Sequence, residues 1–170
     1  KLTLTEFAAD DLVRQAEDLA RPLADQRGNA LRVELGGPLG RVTADETRVR
    51  QVLFNLLDNA NKYAGPETPT AIALAARGDE IVLTVTDQGR GIPDADLNRI
   101  FDKFYRVRKD DGREAGIGLG LAICRGIVSA IGGTIAARSP VADGRGTEIT
   151  VRLYPQPEAV SAAVCAFPSM

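Results

Sequence analysis

The stretch from Gln51 to Ala64, Gln-Val-Leu-Phe-Asn-Leu-Leu-Asp-Asn-Ala-Asn-Lys-Tyr-Ala, constrains this chain more than any other. Apolar residues recur at Val49, Val52, Leu53, Leu56, Leu57 and Ala60, the spacing of an amphipathic helix with one core-facing stripe. Such a helix has to be covered on that stripe, so the rest of the chain must supply a layer to pack on it. Off the stripe lie Asn55, Asn59 and Lys62, which at about 100° per residue share one face within an arc of roughly 60°. Two carboxamides and an ammonium on one face can coordinate a hydrated Mg²⁺ and neutralise phosphate charge. The same residues are also ordinary occupants of a solvated helix face.

Composition narrows what this helix can belong to. With 170 residues and 18.1 kDa the chain fits one domain with a sizeable core. A net charge of -2 and a pI near 5.3 give no electrostatic reason to expect nucleic acid or an anionic membrane as partner. Two cysteines, Cys124 and Cys165, do not make a disulfide framework or a zinc site. No run of about 18 apolar residues and no signal-peptide pattern occurs, so no membrane contact is expected of this segment. The start at Lys1 rather than Met suggests a domain excised from something longer. There is no histidine, so chemistry that needs an imidazole must borrow it from another polypeptide segment.

Along the chain, Lys1 to Phe7 reads as a short strand, and Asp10 as the N-cap of a helix from about Asp11 to Gln26, with Leu12, Ala16, Leu19 and Leu23 inward. Pro22 predicts a kink or an irregular last part. Leu31 to Leu35 alternates as a strand, a Gly36-Gly37-Pro38 turn leads to Arg41-Val42-Thr43, and Asp45 caps the central helix, which Gly65 and Pro66 stop. Thr70 to Ala76 and Glu80 to Thr86 form strands joined by a turn at Arg77-Gly78-Asp79. A short helix from Asp94 to Ile100 precedes Phe101-Asp102-Lys103-Phe104-Tyr105-Arg106. Val107 to Ala115 reads as a mobile loop, and the segment opening at Gly116 as a helix to about Ile131. Thr134 to Arg138 and Thr147 to Leu153 are the last strands. The order is α and β mixed with antiparallel hairpins, which favours a two-layer α/β (α+β) sandwich, a mixed sheet packed on about three helices. The domain spans residues 1–153, and residues 154–170, rich in Pro, Ala and Ser, read as a tail outside it.

Three further motifs carry candidate chemistry. Asp87 ends a buried-type strand and is followed by Gly89 and Gly91, where the backbone can bend tightly. A carboxylate held there can accept a hydrogen bond from an exocyclic amine such as that of adenine, with the glycines letting a flat base approach; a plain Asp-Gly turn gives the same letters. Gly116-x-Gly118-x-Gly120 leads into a helix, whose first amides make an anion site suited to phosphate. It lacks the ending of a P-loop and does not follow a strand, so the dinucleotide fingerprint fails. A glycine hinge is the bland alternative. Phe101, Phe104 and Tyr105 read as an aromatic anchor as well as core packing, and Lys103 and Arg106 as charge clamps beside a phosphate site. Cys124 reads as a small buried hydrophobe.

Taken together, in this order, the motifs resemble the ATP-binding catalytic domain (HATPase_c) of bacterial sensor histidine kinases, in the GHKL superfamily shared with gyrase, Hsp90 and MutL ATPase domains. Asn55-Leu-Leu-Asp-Asn59-Ala-Asn-Lys62-Tyr63 looks like the N box of that family and Asp87-Gln-Gly-Arg-Gly91 like its first glycine box. Phe101 to Arg106 looks like the F box, Gly116-Ile-Gly118-Leu-Gly120-Leu like the second glycine box, and Gly146-Thr147 falls at the last glycine-threonine pair. The resemblance runs from about Leu4 to Leu153, and Gly118 to Val128 is somewhat similar to potassium-responsive sensor kinases.

The resemblance implies a Bergerat-type fold and a role for each matched residue. Asn59 would hold Mg²⁺ bridging the phosphates with Asn55 assisting, Lys62 would contact phosphate, and Tyr63 would flank the nucleotide. Asp87 would bind the adenine amine with Thr147 in support, and Gly89 and Gly91 would admit the base. Gly116, Gly118 and Gly120 would form the hinge and amide cradle of an ATP lid from about Tyr105 to Ile117. It also implies ATP and Mg²⁺ as ligands, a histidine-bearing dimerisation domain of the same parent as phospho-acceptor, and a downstream response regulator. The isolated domain would be a cytoplasmic monomer, its parent open to membrane anchoring, and unable to phosphorylate itself.

Rival classes stay open on the residues. A chaperone- or topoisomerase-type ATPase typically carries a glutamate where this chain has Asn55, which cannot accept a proton from water. An anti-sigma-type serine kinase shares the pocket, but the F box and the Lys62-Tyr63 pair favour the histidine kinase. A nucleotide-binding regulatory module without kinase activity is the third.

Overall fold

The apolar stripe of the central helix finds its layer. The structure, a computed structural model, describes residues 1–36, 39–64, 69–77, 80–107 and 118–154, and of residues 71–77 the backbone alone. Helix α2 spans Glu46–Tyr63 and buries Val49, Val52, Leu53, Leu56, Leu57 and Ala60. Asp45 caps it as expected, its Oδ1 accepting from the Arg48 N–H at 3.1 Å. Its Oδ2 accepts from the Thr3 N–H at 2.9 Å, so the cap also ties down the start of the chain. The Thr3 N–H first, and the Arg48 N–H with it, hold the Asp45 carboxyl below the usual carboxylate range.

Helix α1 (Ala9–Gln26) packs beside α2. It begins earlier than expected: Ala8 is the N-cap residue, without a side-chain cap, and Asp10 and Asp11 lie inside the first turn, where their charge complements the helix dipole. Leu12 and Ala16 are buried as expected, together with Val13, Ala20 and Ala24, whereas Leu19 is 45% exposed and Leu23 half-buried. The line Ala16-Ala20-Ala24 explains the difference. Small residues every fourth position make up the buried face and leave Leu19 off it. Pro22 lies within the helix, which continues to Gln26.

The main sheet has the order β2-β4-β5-β7-β6, from β2 (Leu31–Gly36), β4 (Thr70–Arg77), β5 (Glu80–Asp87), β6 (Thr134–Arg138) and β7 (Thr147–Leu153). β2 and β4 are parallel and the other neighbours antiparallel. A separate antiparallel pair joins β1 (Thr5–Ala8) to β3 (Arg41–Ala44). Period-two alternation puts Ile81, Leu83 and Val85 of β5 and Ile149, Val151 and Leu153 of β7 on the buried face. There they join the apolar side chains of α2 and of α3 (Gly120–Ala130), including the fully buried Cys124, in one core. The described residues form the expected two-layer α/β sandwich, three helices packed on the mixed main sheet.

Two further local expectations change. Residues 94–101 form successive turns in place of the short helix, with bonds such as Asp96 N–H to Pro93 O at 2.9 Å and Arg99 N–H to Asp96 O at 2.8 Å. Asp94, Asp96 and Asn98 are residues whose side chains compete for local backbone groups and disfavour a regular helix. The last helix starts at Gly120, not Gly116. Residues 37–38, 65–68, 78–79, 108–117 and 155–170 lie outside the described residues, and with them most of the expected mobile loop, Gly116, the Gly65-Pro66 stop and the tail with Cys165.

Candidate functional site

A cleft of about 420 Å³ opens where the second half of α2, the ends of β5 and β7 and the start of α3 converge. That volume suits a small-molecule ligand. Asn55, Asn59, Lys62 and Tyr63 reach it from α2, Asp87 and Gly91 from the end of β5 and the following turn, and Thr147 from β7. Arg106, Gly118 and Gly120 close the remaining side. Gly89 and Lys103 do not line the cleft; Lys103 is simply exposed.

Sheet register builds one end. Asp87 and Thr147 are directly paired across β5 and β7. The Asp87 carboxylate accepts from the Gly89 N–H at 2.8 Å and from the backbone of Thr147. Burial nevertheless pushes this carboxyl above its usual range, against the pull of those two N–H groups. Val85, Ile92, Ile100, Leu121 and Ile149 give the cleft apolar walls beside it. A lone carboxylate among such walls is suited to accept from a donor on a flat apolar ligand.

The glycine turn is braced from behind. Gly91 has φ +82°, and a Cβ there would sit 2.7 Å from Ser139 Oγ. That hydroxyl accepts from the Ile92 N–H at 2.8 Å and donates to Gly146 O at 2.7 Å, while the Gly146 N–H bonds Gly89 O at 2.8 Å. Gly89 has a neighbour the sequence did not suggest: a Cβ would collide with the carbonyl oxygen of Tyr63. Its bare backbone lets the end of α2 close onto the turn.

Helix ends build the other side. Asp58, Asn59 and Lys62 face the cleft from the last turns of α2, with Lys62 Nζ 2.6 Å from Asp58 Oδ2. The start of α3 faces them, with an ideal Cβ on Gly120 lying 3.7 Å from Asn59 Nδ2. Leu119 provides no side-chain cap and the first turn of α3 carries no acidic residue. Among the described residues the first amides and the positive dipole end therefore meet the cleft with neither a capping side chain nor an acidic first turn, an arrangement that favours a bound anion. Behind Asn55, the Cys124 thiol lies within hydrogen-bonding reach of its side chain and donates to Val52 O at 3.8 Å; burial pushes this thiol up to about 12.

Among the described residues no cluster of three or more His, Cys, Asp or Glu could hold a metal ion alone. What the cleft offers is hard oxygen: the carboxamides of Asn55 and Asn59 and the carboxylate of Asp58. That set fits a Mg²⁺ that keeps its waters and is held largely by a substrate's phosphates.

The aromatic segment divides. Phe101 is buried, Phe104 is 68% exposed, and Tyr105 lines the cleft. The Tyr105 hydroxyl bonds Asp96, and the Arg99 guanidinium lies 4.2 Å from its ring centroid. Phe104, expected to pack, instead adopts φ +63° and gives its N–H to Gly118 O at 3.0 Å. The backbone of this segment, more than that side chain, holds Gly118 of the second glycine motif.

Sequence reasoning missed Asp58, Arg90 and the apolar walls as lining. Asp58 carried a signal, its i,i+4 spacing to Lys62. The walls carried none, because each looks like core in its own element.

A sequence profile of the histidine kinase-, DNA gyrase B- and HSP90-like ATPase family matches residues 44–157. The alginate biosynthesis sensor protein KinB of Pseudomonas aeruginosa is 35% identical over 85% of this chain, and the sensor protein KdpD of Escherichia coli 36% identical over 92%. The chain spans 24% of the length of the first and 17% of the second. The solved catalytic domain of histidine kinase ThkA superposes with a TM-score of 0.78 at 29% identity, covering 92% of this chain and 98% of that one. With the cleft described above, these likenesses settle the family: the chain belongs to the histidine kinase-, DNA gyrase B- and HSP90-like ATPases, as an ATP-binding catalytic domain of the sensor histidine kinase kind.

Proposed function

We propose that the cleft binds Mg·ATP with its adenine at Asp87 and its phosphates between α2 and α3, and donates the γ-phosphoryl group to a histidine on a separate dimerisation domain. One observation carries this reading: a buried carboxylate and an uncapped helix start line a single cleft, together with Asn55 and Asn59. Asp87 accepts from the adenine amine and Thr147 supports it. Gly91 keeps the turn close to the base. Lys62, Arg106 and the amides at Gly118 and Gly120 take up phosphate charge, and Tyr63 flanks the nucleotide. Mg²⁺, when bound at the oxygens of Asn55 and Asn59, supplies charge neutralisation to the phosphates.

Positioning and charge neutralisation are most of what phosphoryl transfer asks of a protein. No side chain here has to become covalently modified, and without histidine the chain cannot serve as its own acceptor. A phosphorus–nitrogen bond forms at the partner's imidazole as the bond to the β–γ bridging oxygen breaks, and ADP leaves. The product phosphohistidine would then serve a response regulator.

The test is transfer in trans. The chain is mixed with histidine-bearing dimerisation domains and ATP labelled at the γ-phosphate. Acid-labile label on the acceptor, and none on this chain, is the expected result. Good nucleotide binding with no transfer to any acceptor would make it a nucleotide-responsive module instead.

A further inference from the structure

The side chain of Asn61 turns away from the cleft. On α2 it continues the buried line Leu53-Leu57-Asn61, each four residues from the last, and is itself only 7% exposed. An apolar residue would fill that position, and burying a carboxamide costs free energy unless its hydrogen bonds are made. Here they are. Asn61 Nδ2 donates to Leu23 O on α1 at 2.9 Å, and Asn61 Oδ1 accepts from Nδ2 of the buried Asn29 at 3.0 Å. The direction of this chain is forced: a carbonyl can only accept, so Asn61 must present its amide to Leu23 and its oxygen to Asn29. Asn29 is placed in turn by its own N–H, which bonds Ala24 O at 2.9 Å. From the same side Arg27 Nη1 donates to the carbonyls of Asn61 at 3.0 Å and Lys62 at 3.2 Å, which are end-of-helix acceptors.

Asn61 therefore sits between Asn59 and Lys62 in sequence and is bolted to α1 by directional bonds, where apolar packing would let the helix end rotate or slide. We propose that Asn61, with Asn29 and Arg27, is a positioning device that sets the last turn of α2 so that Asn59 and Lys62 meet the metal–phosphate end of the ligand. This inference rests on the nucleotide-binding reading above.

The test compares Asn61→Leu, the double variant Asn29→Leu/Asn61→Leu, and Arg27→Gln with the wild-type chain. Thermal unfolding, ADP binding in EDTA and binding of a non-hydrolysable ATP analogue with and without Mg²⁺ are measured for each. Asn61→Leu strands the Asn29 amide and is expected to destabilise the chain. Replacing both carboxamides removes the stranded Asn29 amide and leaves only Leu23 O without its donor, so the double variant should regain part of that stability. In both, ADP binding without Mg²⁺ should stay near wild type while the gain conferred by Mg²⁺ falls roughly 10-fold, as when a supporting partner of a metal ligand is lost. Arg27→Gln, at an exposed residue, should fold normally and lose part of the same gain. A double variant that regains stability and keeps the full Mg²⁺ gain would reduce the pair to packing and overturn the inference alone. Failure of the folded wild-type chain to bind either nucleotide would overturn the underlying reading and this inference with it.

Discussion

The two ends of the cleft are built by different means. At the sheet end, Asp87 is fixed by strand register and by backbone bonds that cross between the turns at Gly89 and Gly146, with Ser139 bridging them. At the helix end, Asn59, Lys62 and the start of α3 offer side-chain oxygens, one ammonium and free amides, held by contacts among helices. The first kind of site recognises a shape and one donor with little adjustment. The second gathers charge, and its strength follows how accurately two helix ends are placed. Base recognition and phosphate handling should therefore be separable by mutation.

Asp87→Asn should separate them most strongly. Losing the charged acceptor should weaken ADP and ATP analogue alike by about 2 kcal/mol, near 30-fold, by titration calorimetry. The same change should not harm the empty chain. Burial raises the Asp87 pKa, so ionisation costs the folded state, and wild-type stability should decline as pH rises from the ordinary value of 3.8 through the raised one. Melting curves across that range should show the decline in wild type and its reduction in Asp87→Asn.

Gly89→Ala attacks the seam between the ends, because the added Cβ meets the Tyr63 carbonyl. A loss of about 1–3 kcal/mol in chemical denaturation is expected, from forced movement of backbone. Asn59→Ala should be narrower: ADP binding in EDTA near wild type, with roughly a tenfold loss of the Mg²⁺-dependent gain. Lys103→Ala should be the smallest, within about 0.5 kcal/mol in both stability and binding, since the residue is exposed and off the cleft. A larger effect of Lys103→Ala would show that the helix end extends further than the lining residues.

What the sequence disclosed follows the same division. Features written in neighbouring residues were legible: the stripe and polar face of α2, the Asp45 cap, the strand ending at Asp87, and the glycines that bend the turn after it. So was the two-layer class, since antiparallel hairpins mixed with helices leave few alternatives. Features made by residues far apart in sequence were not. Nothing near Ser139 announces that its hydroxyl braces the turn at Gly91, and nothing near Asn29 announces Asn61, because each bond exists only once the sheet and helices are assembled. Asp10 and Leu19 misled for a related reason. Both fit a local rule for cap and stripe, but the line of alanines on α1 chose another face and the helix began earlier. Gly89 was expected to admit a flat base, yet it lies off the cleft and its close neighbour is Tyr63 of α2.

The most direct test of two separable ends in one nucleotide site is a calorimetric titration of the wild-type chain with ADP and a non-hydrolysable ATP analogue, each with and without Mg²⁺. The account predicts one saturable site of about -4 to -8 kcal/mol, with ADP bound even in EDTA and the analogue strengthened by Mg²⁺. A folded chain that binds neither nucleotide at millimolar concentration, or binds the analogue identically with and without Mg²⁺, would contradict it.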